Sequence, residues 1–270
     1  MFPNKGNIKR LFESIYDRDF YTVIADFFEM SAISIRNAVC IGKSRATYET
    51  RYENTRKKYT DEQFHIFTRA LGLLMDDIKL SIENGNLSDW CGELFMESGT
   101  SNAKMGQFFT PYSVSKMTAQ IGVREEDITA KLNSNPDGVF TIYEPTCGAG
   151  GLIIAAIEKL MQLKINYSYN VFVDCGDIDG RCVCMTYLVL SVLGVPAVVR
   201  RGDALMLNYY EHWFTPAYVF NCAHFYSQIG DGSYPYTAVV ARPKQKSITP
   251  IAEPTEPQTD KHGQYILNLF

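Results

Sequence analysis

No run of the sequence approaches the ~18 consecutive apolar residues that a bilayer-spanning helix requires, so no membrane attachment of that kind is expected. The opening MFPNKGNIKRLFESIYDRDF is charged throughout and lacks the apolar centre of a signal peptide, which points to the cytoplasm. Positive charge is also in short supply. Lys and Arg number 26 against 30 Asp and Glu, a net charge of −4, so any nucleic-acid contact must come from a local patch. The seven cysteines are odd in number and scattered through apolar segments, as reduced, buried thiols of a cytoplasmic protein would be. Cys182 and Cys184 form the one C-x-C pair. On a helix they would point about 200° apart, and no second Cys/His pair follows at ligand spacing, so no metal site is expected. No internal repeat is visible. What remains, 46% hydrophobic and 21% charged residues, is the composition of an ordinary globular chain of one large or two small domains.

Three compositional regions divide the chain. Residues 1–104 read as a small helical domain, with apolar residues at three- and four-residue spacing in Phe64, Phe67, Leu71, Leu74 and Ile78. Asn84-Gly85 marks a turn, and Ser88-Asp89 should cap the following helix. Residues 105–229 alternate helix and strand. Short apolar runs at Val139–Tyr143, Tyr169–Val173, Ala197–Arg200 and Ala217–Phe220 predict strands, and Gly151–Leu163 and Arg181–Leu193 predict the crossover helices. That order implies an α/β fold, a doubly wound, Rossmann-like sheet. Residues 230–270, punctuated by the Asp231-Gly232 turn signal and five prolines from Pro235 to Pro257, read as an irregular tail.

The chemistry-bearing residues gather at the ends of the predicted strands. The first strand runs into Glu144-Pro145-Thr146-Cys147-Gly148-Ala149-Gly150-Gly151, a small-residue turn opening a helix. Glycine at 148 and 150 leaves room for a ligand over the turn and permits positive φ, while the helix start presents free N–H groups. The dinucleotide pattern G-x-G-x-x-G fails, because Ile153 stands three residues after Gly150. Upstream, Gly106-Gln107-Phe108-Phe109-Thr110-Pro111 reads as a capped helix start, with Thr110 as N-cap and Pro111 in the first turn. The second strand ends at Asp177-Ile178-Asp179, where the forked carboxylate of Asp177 could take both hydroxyls of a ribose and Asp179 could cap a helix. The third leads to Asp203-Ala204-Leu205.

Taken in order, these elements resemble the adenine-N6 DNA methyltransferases, and specifically the modification (methylase) subunits of type I restriction-modification systems. E-P-T-C-G-A-G is similar to that family's first motif, and G-Q-F-F-T-P, about 35 residues upstream, is similar to its cofactor-covering segment. The resemblance implies an S-adenosylmethionine pocket made by Gln107, Phe108, Thr110, Pro111, Glu144, Pro145, Cys147, Gly148, Gly150, Asp177, Ile178, Asp203, Ala204 and Leu205. In that family Glu144 would meet the methionine amino group and Thr110 the carboxylate. Asp203 would accept from the adenine amine, and Leu205 would pack on the ring.

The same resemblance implies a catalytic N/D-P-P-F/Y/W after the fourth strand, which this sequence lacks. Asn221-Cys222-Ala223-His224-Phe225 stands there, leaving Asn221 and Phe225 as the candidate catalytic pair. In the family, asparagine and a proline carbonyl hold the amine of a flipped adenine, and the aromatic stacks on the base. Two outcomes follow: methyl transfer to adenine N6 in DNA, or an inactive cofactor-binding, DNA-associated accessory protein derived from a truncated methylase. The expected partners are DNA and a separate specificity subunit or another restriction-modification partner. Lys43–Lys58, with six Lys/Arg, is the one basic stretch that could follow a phosphate backbone, or else form a solvated helix face.

Overall fold

The computed structural model describes residues 2–40, 42–98, 109–135 and 137–221. Five helices come first: α1 (Lys5–Glu13), α2 (Phe20–Val39), α3 (Gly42–Arg56), α4 (Asp61–Glu83) and α5 (Trp90–Met96). Their starts are set by local chemistry. The Asp19 side chain accepts the Thr22 N–H, Thr60 and Gln63 form a reciprocal capping box, and Asp89 accepts the Gly92 N–H, as Ser88-Asp89 suggested. The chain leaves α4 through Asn84-Gly85, where Gly85 takes φ +64°.

The α/β part follows as α6 (Tyr112–Gly122), α7 (Glu125–Ser134), β1 (Phe140–Glu144), α8 (Gly151–Gln162), α9 (Tyr167–Asn170), β2 (Val171–Asp177), α10 (Gly180–Val192), β3 (Ala197–Asp203), β4 (Asn208–Phe214) and α11 (Pro216–Phe220). The strands lie in the order β1-β2-β3-β4; the first three are parallel and β4 runs antiparallel to β3. The mixed α/β architecture with α8 and α10 as crossovers agrees with the sequence reading. It places the carboxyl ends of β1, β2 and β3 side by side, and the loops that carry Glu144, Asp177 and Asp203 leave from there.

Three expectations need correction. The helix after the G-Q-F-F-T-P segment takes Pro111 as its N-cap, with no side-chain cap bond, so Thr110 lies one residue outside it. The second strand starts at Val171 rather than Tyr169, because Tyr167–Asn170 is a turn of helix pinned by the Tyr167 hydroxyl donating to the Leu193 carbonyl (3.0 Å). Most consequentially, Ala217–Phe220 is not a strand. Proline at the first helical position after Thr215 presets a helical φ, and the buried Thr215 hydroxyl donates to the Val195 carbonyl (2.7 Å) and accepts the Ala197 N–H (2.9 Å). The fourth strand is Asn208–Phe214, folding back on β3.

The core explains the apolar run of α10. Nearly every residue of that helix from Cys182 to Ser191 is buried, because β2 and β3 pack on one side and α2 and α5 on the other. One continuous cluster thus runs from Ile8 and Phe27 of the early helices to Val173, Val199 and Trp213 of the sheet. The compositional boundary near residue 104 is crossed by that single core. Alternate strand residues Phe172, Val198 and Phe214 turn the other way, with Val139 and Tyr218, into a second, smaller cluster.

Candidate functional site

The turn between β1 and α8 is held from three directions. Gly148 and Gly150 take φ +55° and +91°, conformations that side chains disfavour. The Cys147 N–H donates to the Gly176 carbonyl (2.8 Å) and the Gly148 N–H to Asp177 Oδ2 (3.0 Å). From below, the Thr186 hydroxyl of α10 donates to the Gly148 carbonyl (2.8 Å). The Phe109 ring lies over Gly148, where a Cβ would stand 3.2 Å from its Cδ1, and Phe109 is itself backed by Phe95 at 5.7 Å between ring centres. The two sequence motifs therefore meet.

Between them opens a cleft of about 190 Å³ lined by Asp89, Phe109, Thr110, Ser115, Thr146, Cys147, Gly148, Ala149, Gly151, Leu152 and Asp177. Of the residues expected from the sequence, Thr110, Cys147, Gly148 and Asp177 line it. Pro111, Pro145 and Gly150 adjoin the lining residues Thr110, Thr146 and Ala149 in the chain. Glu144 is half-buried just outside, with Oε1 accepting the N–H (3.1 Å) and hydroxyl (3.2 Å) of Thr146. Asp177 Oδ1 accepts the Asp179 N–H (2.9 Å), and Asp179 caps α10 by accepting the Arg181 N–H. Burial pushes the Asp177 carboxyl up, while the N–H groups of Asp179 and Gly148 pull it down.

Farther along the strand ends the surface is open. Asp203 Oδ1 holds its own loop by accepting the N–H groups of Leu205 (2.9 Å) and Met206 (3.1 Å). Ala204 is partly buried, whereas Ile178 is 66% exposed and Leu205 95% exposed. Gln107, Phe108 and Phe225 lie outside the described residues. Asn221 is exposed at the end of α11, donating from Nδ2 to the Ala217 carbonyl (3.1 Å). It follows a helix, not the strand that the sequence suggested.

Sequence reasoning missed four contributors: Phe109, Thr186, Ser115 and Asp89 in any role beyond helix cap. Asp89 is 4% exposed, and burial pushes its carboxyl up to about 7 against the pull of the Gly92 N–H. A signal was present: glycine three residues after the cap, where any Cβ would run into the Asp89 carboxylate.

The basic stretch, in contrast, is absorbed by the fold. Arg51 pairs with Glu29 and Glu211, Arg56 with Asp61, Lys57 with Glu53 and Lys58 with Asp26. Tyr48 stacks edge-on against Trp213 (4.9 Å) and donates to Glu211 (3.0 Å), which docks α3 on β4. No helix among the described residues is long and apolar enough to cross a membrane, and none of their His, Cys, Asp and Glu side chains group in threes to hold a metal ion.

Comparison with known proteins bears on the same region. Residues 88–176 match the family model described as N-6 DNA methylase. No curated protein matches the chain. Among solved structures, a putative class I S-adenosylmethionine-dependent methyltransferase from Listeria monocytogenes is similar at 12% identity, over 83% of this chain and 68% of that one, with a TM-score of 0.40. The matched stretch begins at the cap of α5 and ends inside β2, so it contains the cleft except for Asp177. The site suits the cofactor of that family: side-chain-free Gly148 beneath the Phe109 ring, the first N–H groups of α8, which have no side-chain cap, and a buried Ser115 hydroxyl with no partner among the described residues offer places for a polar ligand. The stretch from Ser88 to Gly176 is thus similar to the N-6 DNA methylases, a family whose cofactor is S-adenosylmethionine.

Proposed function

We propose that this chain is a restriction-modification methylase that transfers a methyl group from S-adenosylmethionine to adenine N6 in DNA, acting in the cytoplasm with a specificity subunit that selects the target. The observation that carries this reading is the seating of Phe109 on Gly148, which joins two motifs far apart in sequence around one cleft. The bound cofactor supplies an electrophilic sulfonium methyl. The protein holds it: α8 offers N–H groups to the polar end, Phe109 and Thr110 cover it, and Asp177 keeps lone pairs for the ribose hydroxyls while bracing the turn. Asp203 and Leu205 extend the site toward the adenine ring. Asn221 presents its carbonyl oxygen to the target amine, and Phe225 stacks on the flipped base.

Transfer of labelled methyl groups to adenine-containing DNA, with and without candidate specificity subunits, tests this directly. Turnover should fall about 10²–10³-fold in Asn221→Ala, the usual loss when a positioned polar group is removed. One observation favours the second reading, an accessory protein that binds cofactor without turnover. Asn221 closes a short helix and its amide nitrogen is engaged by the Ala217 carbonyl. Cofactor binding by calorimetry without any labelled product would establish it.

A further inference from the structure

The inner wall of the cleft carries two polar groups that the assigned motifs do not explain. Ser115 of α6 is 0% exposed, and its hydroxyl has no hydrogen-bond partner among the described residues although it lines the cleft. Asp89 is almost as buried; Oδ1 accepts the Gly92 N–H at 3.0 Å. Both groups converge on the start of α8. A Cβ at Gly151 would stand 3.3 Å from Asp89 Oδ2 and 3.5 Å from Ser115 Oγ. Among the described residues the hydroxyl finds no partner and the carboxylate no cation beside it, and each is unfavourable for a buried group. A cation that carried its own N–H donors would correct both.

We propose that Asp89, with Ser115 beside it, receives the α-ammonium group of the methionine end of S-adenosylmethionine. This assignment rests on the cofactor reading given above and deepens it. The methionine end is a zwitterion, so its site needs an anion for the ammonium and N–H donors for the carboxylate. Two carboxylates line the cleft: Asp177 is taken up by the Gly148 and Asp179 N–H groups, whereas Asp89 Oδ2 stands beside the start of α8 with its first N–H groups. Glu144, which the family resemblance gives to the ammonium, is not among the lining residues and has Oε1 taken up by Thr146. Ser115 can accept from the ammonium or donate to the carboxylate. Gly92 and Gly151 are the space that lets Asp89 and the ligand share the wall.

Ligands that differ only at the methionine end provide the test. Calorimetry would compare S-adenosylhomocysteine with 5′-methylthioadenosine, which lacks the amino-acid end, on the full chain and on Asp89→Asn, Ser115→Ala and Glu144→Gln. Asparagine keeps the helix cap and removes the charge. Asp89→Asn should weaken S-adenosylhomocysteine about 10–100-fold, the scale of a hydrogen bond to a charged group, and leave methylthioadenosine within about two-fold. Ser115→Ala should show the same selectivity at about 2–10-fold, and it carries the comparison if Asp89→Asn does not fold. Equal losses for both ligands, no loss for either, or a larger selective loss in Glu144→Gln would each overturn the assignment. If the unaltered chain binds neither ligand, the cofactor reading itself falls and this assignment with it.

Discussion

The inner and outer ends of the proposed cofactor groove are built on opposite principles. At the inner end, Asp89 and Ser115 are already buried, the Gly148 turn is braced by Asp177 and Thr186, and Phe109 lies in place. At the outer end Ile178 and Leu205 stand largely in water, and Asp203 bonds only its own loop. A preformed polar site loses little freedom on binding, whereas exposed side chains must be ordered as they are covered. On the assignment proposed above, the difference teaches that selectivity for the amino-acid end is set by the fold, while the nucleoside end gains its contacts with the ligand.

The largest expected effect is a pH dependence that belongs to the inner end alone. Asp89 holds its proton up to about pH 7 in the folded chain, but an unfolded aspartate releases it near 3.8. Between those values the folded state binds more protons than the unfolded one, so stability declines as pH rises through that window. The full difference is on the order of 4 kcal/mol. Glu93 adds to it by repulsion, while Cys91 and Tyr112, also near Asp89, are pushed upward, away from this range. Denaturation midpoints measured from pH 4.5 to 8 should therefore fall less steeply in Asp89→Asn; parallel curves would show that the inner end is not the strained one.

Gly148→Val comes next. It places a branched side chain at φ +55° against the Phe109 ring. Cofactor affinity should drop about 100-fold or more, from backbone strain and a blocked turn together. Retained binding in a titration would mean that the ligand does not cross this turn.

Gly92→Ala should be smaller and of unusual sign. Replacing a helical glycine with alanine ordinarily stabilises by about 0.5–1 kcal/mol. Here the new methyl would meet the Asp89 carboxylate, so a loss of about 1–3 kcal/mol in thermal or chemical unfolding is expected, as for an overpacked core. A gain in stability would show that Asp89 can swing aside at little cost.

Leu205→Ser should have the least effect. The unliganded fold does not use this side chain, so stability should change by less than about 0.5 kcal/mol. Affinity for S-adenosylhomocysteine and methylthioadenosine should fall together, by about two- to five-fold, since both carry the nucleoside. A selective loss for one ligand would break the division between the two ends.

Much of the fold was legible because its signals are local. The alternation of apolar runs announced β1, α8, α10 and β3, and Asp89, Asp179 and Asn84-Gly85 marked the ends of helices through their own backbone bonds. The misreadings have a common origin. Ala217–Phe220 is apolar enough for a strand, but Thr215-Pro216 starts a helix and Thr215 is anchored to the chain around β3. Asn208–Phe214, which Glu211 and His212 interrupt, is not among the predicted strands. Glu211 nevertheless finds Arg201, Tyr48 and the Trp213 indole within the fold. For the basic stretch of α3 the sequence allowed a phosphate contact or a solvated face; its cations instead pair with carboxylates of α2, α4 and β4.

By itself, the sequence determined the two glycine-bearing motifs, the acidic strand ends and the order in which they occur. Glycine's conformational freedom and a carboxylate's acceptor geometry are properties of the residues themselves. Only the tertiary structure decided that the inner wall of the cleft is Asp89 and Ser115. Those residues reach the turn from α5 and α6, and burial by neighbours distant in sequence pushes the Asp89 carboxyl up and leaves the Ser115 hydroxyl unbonded among the described residues. Desolvation belongs to the packed molecule, and no spacing of letters records it.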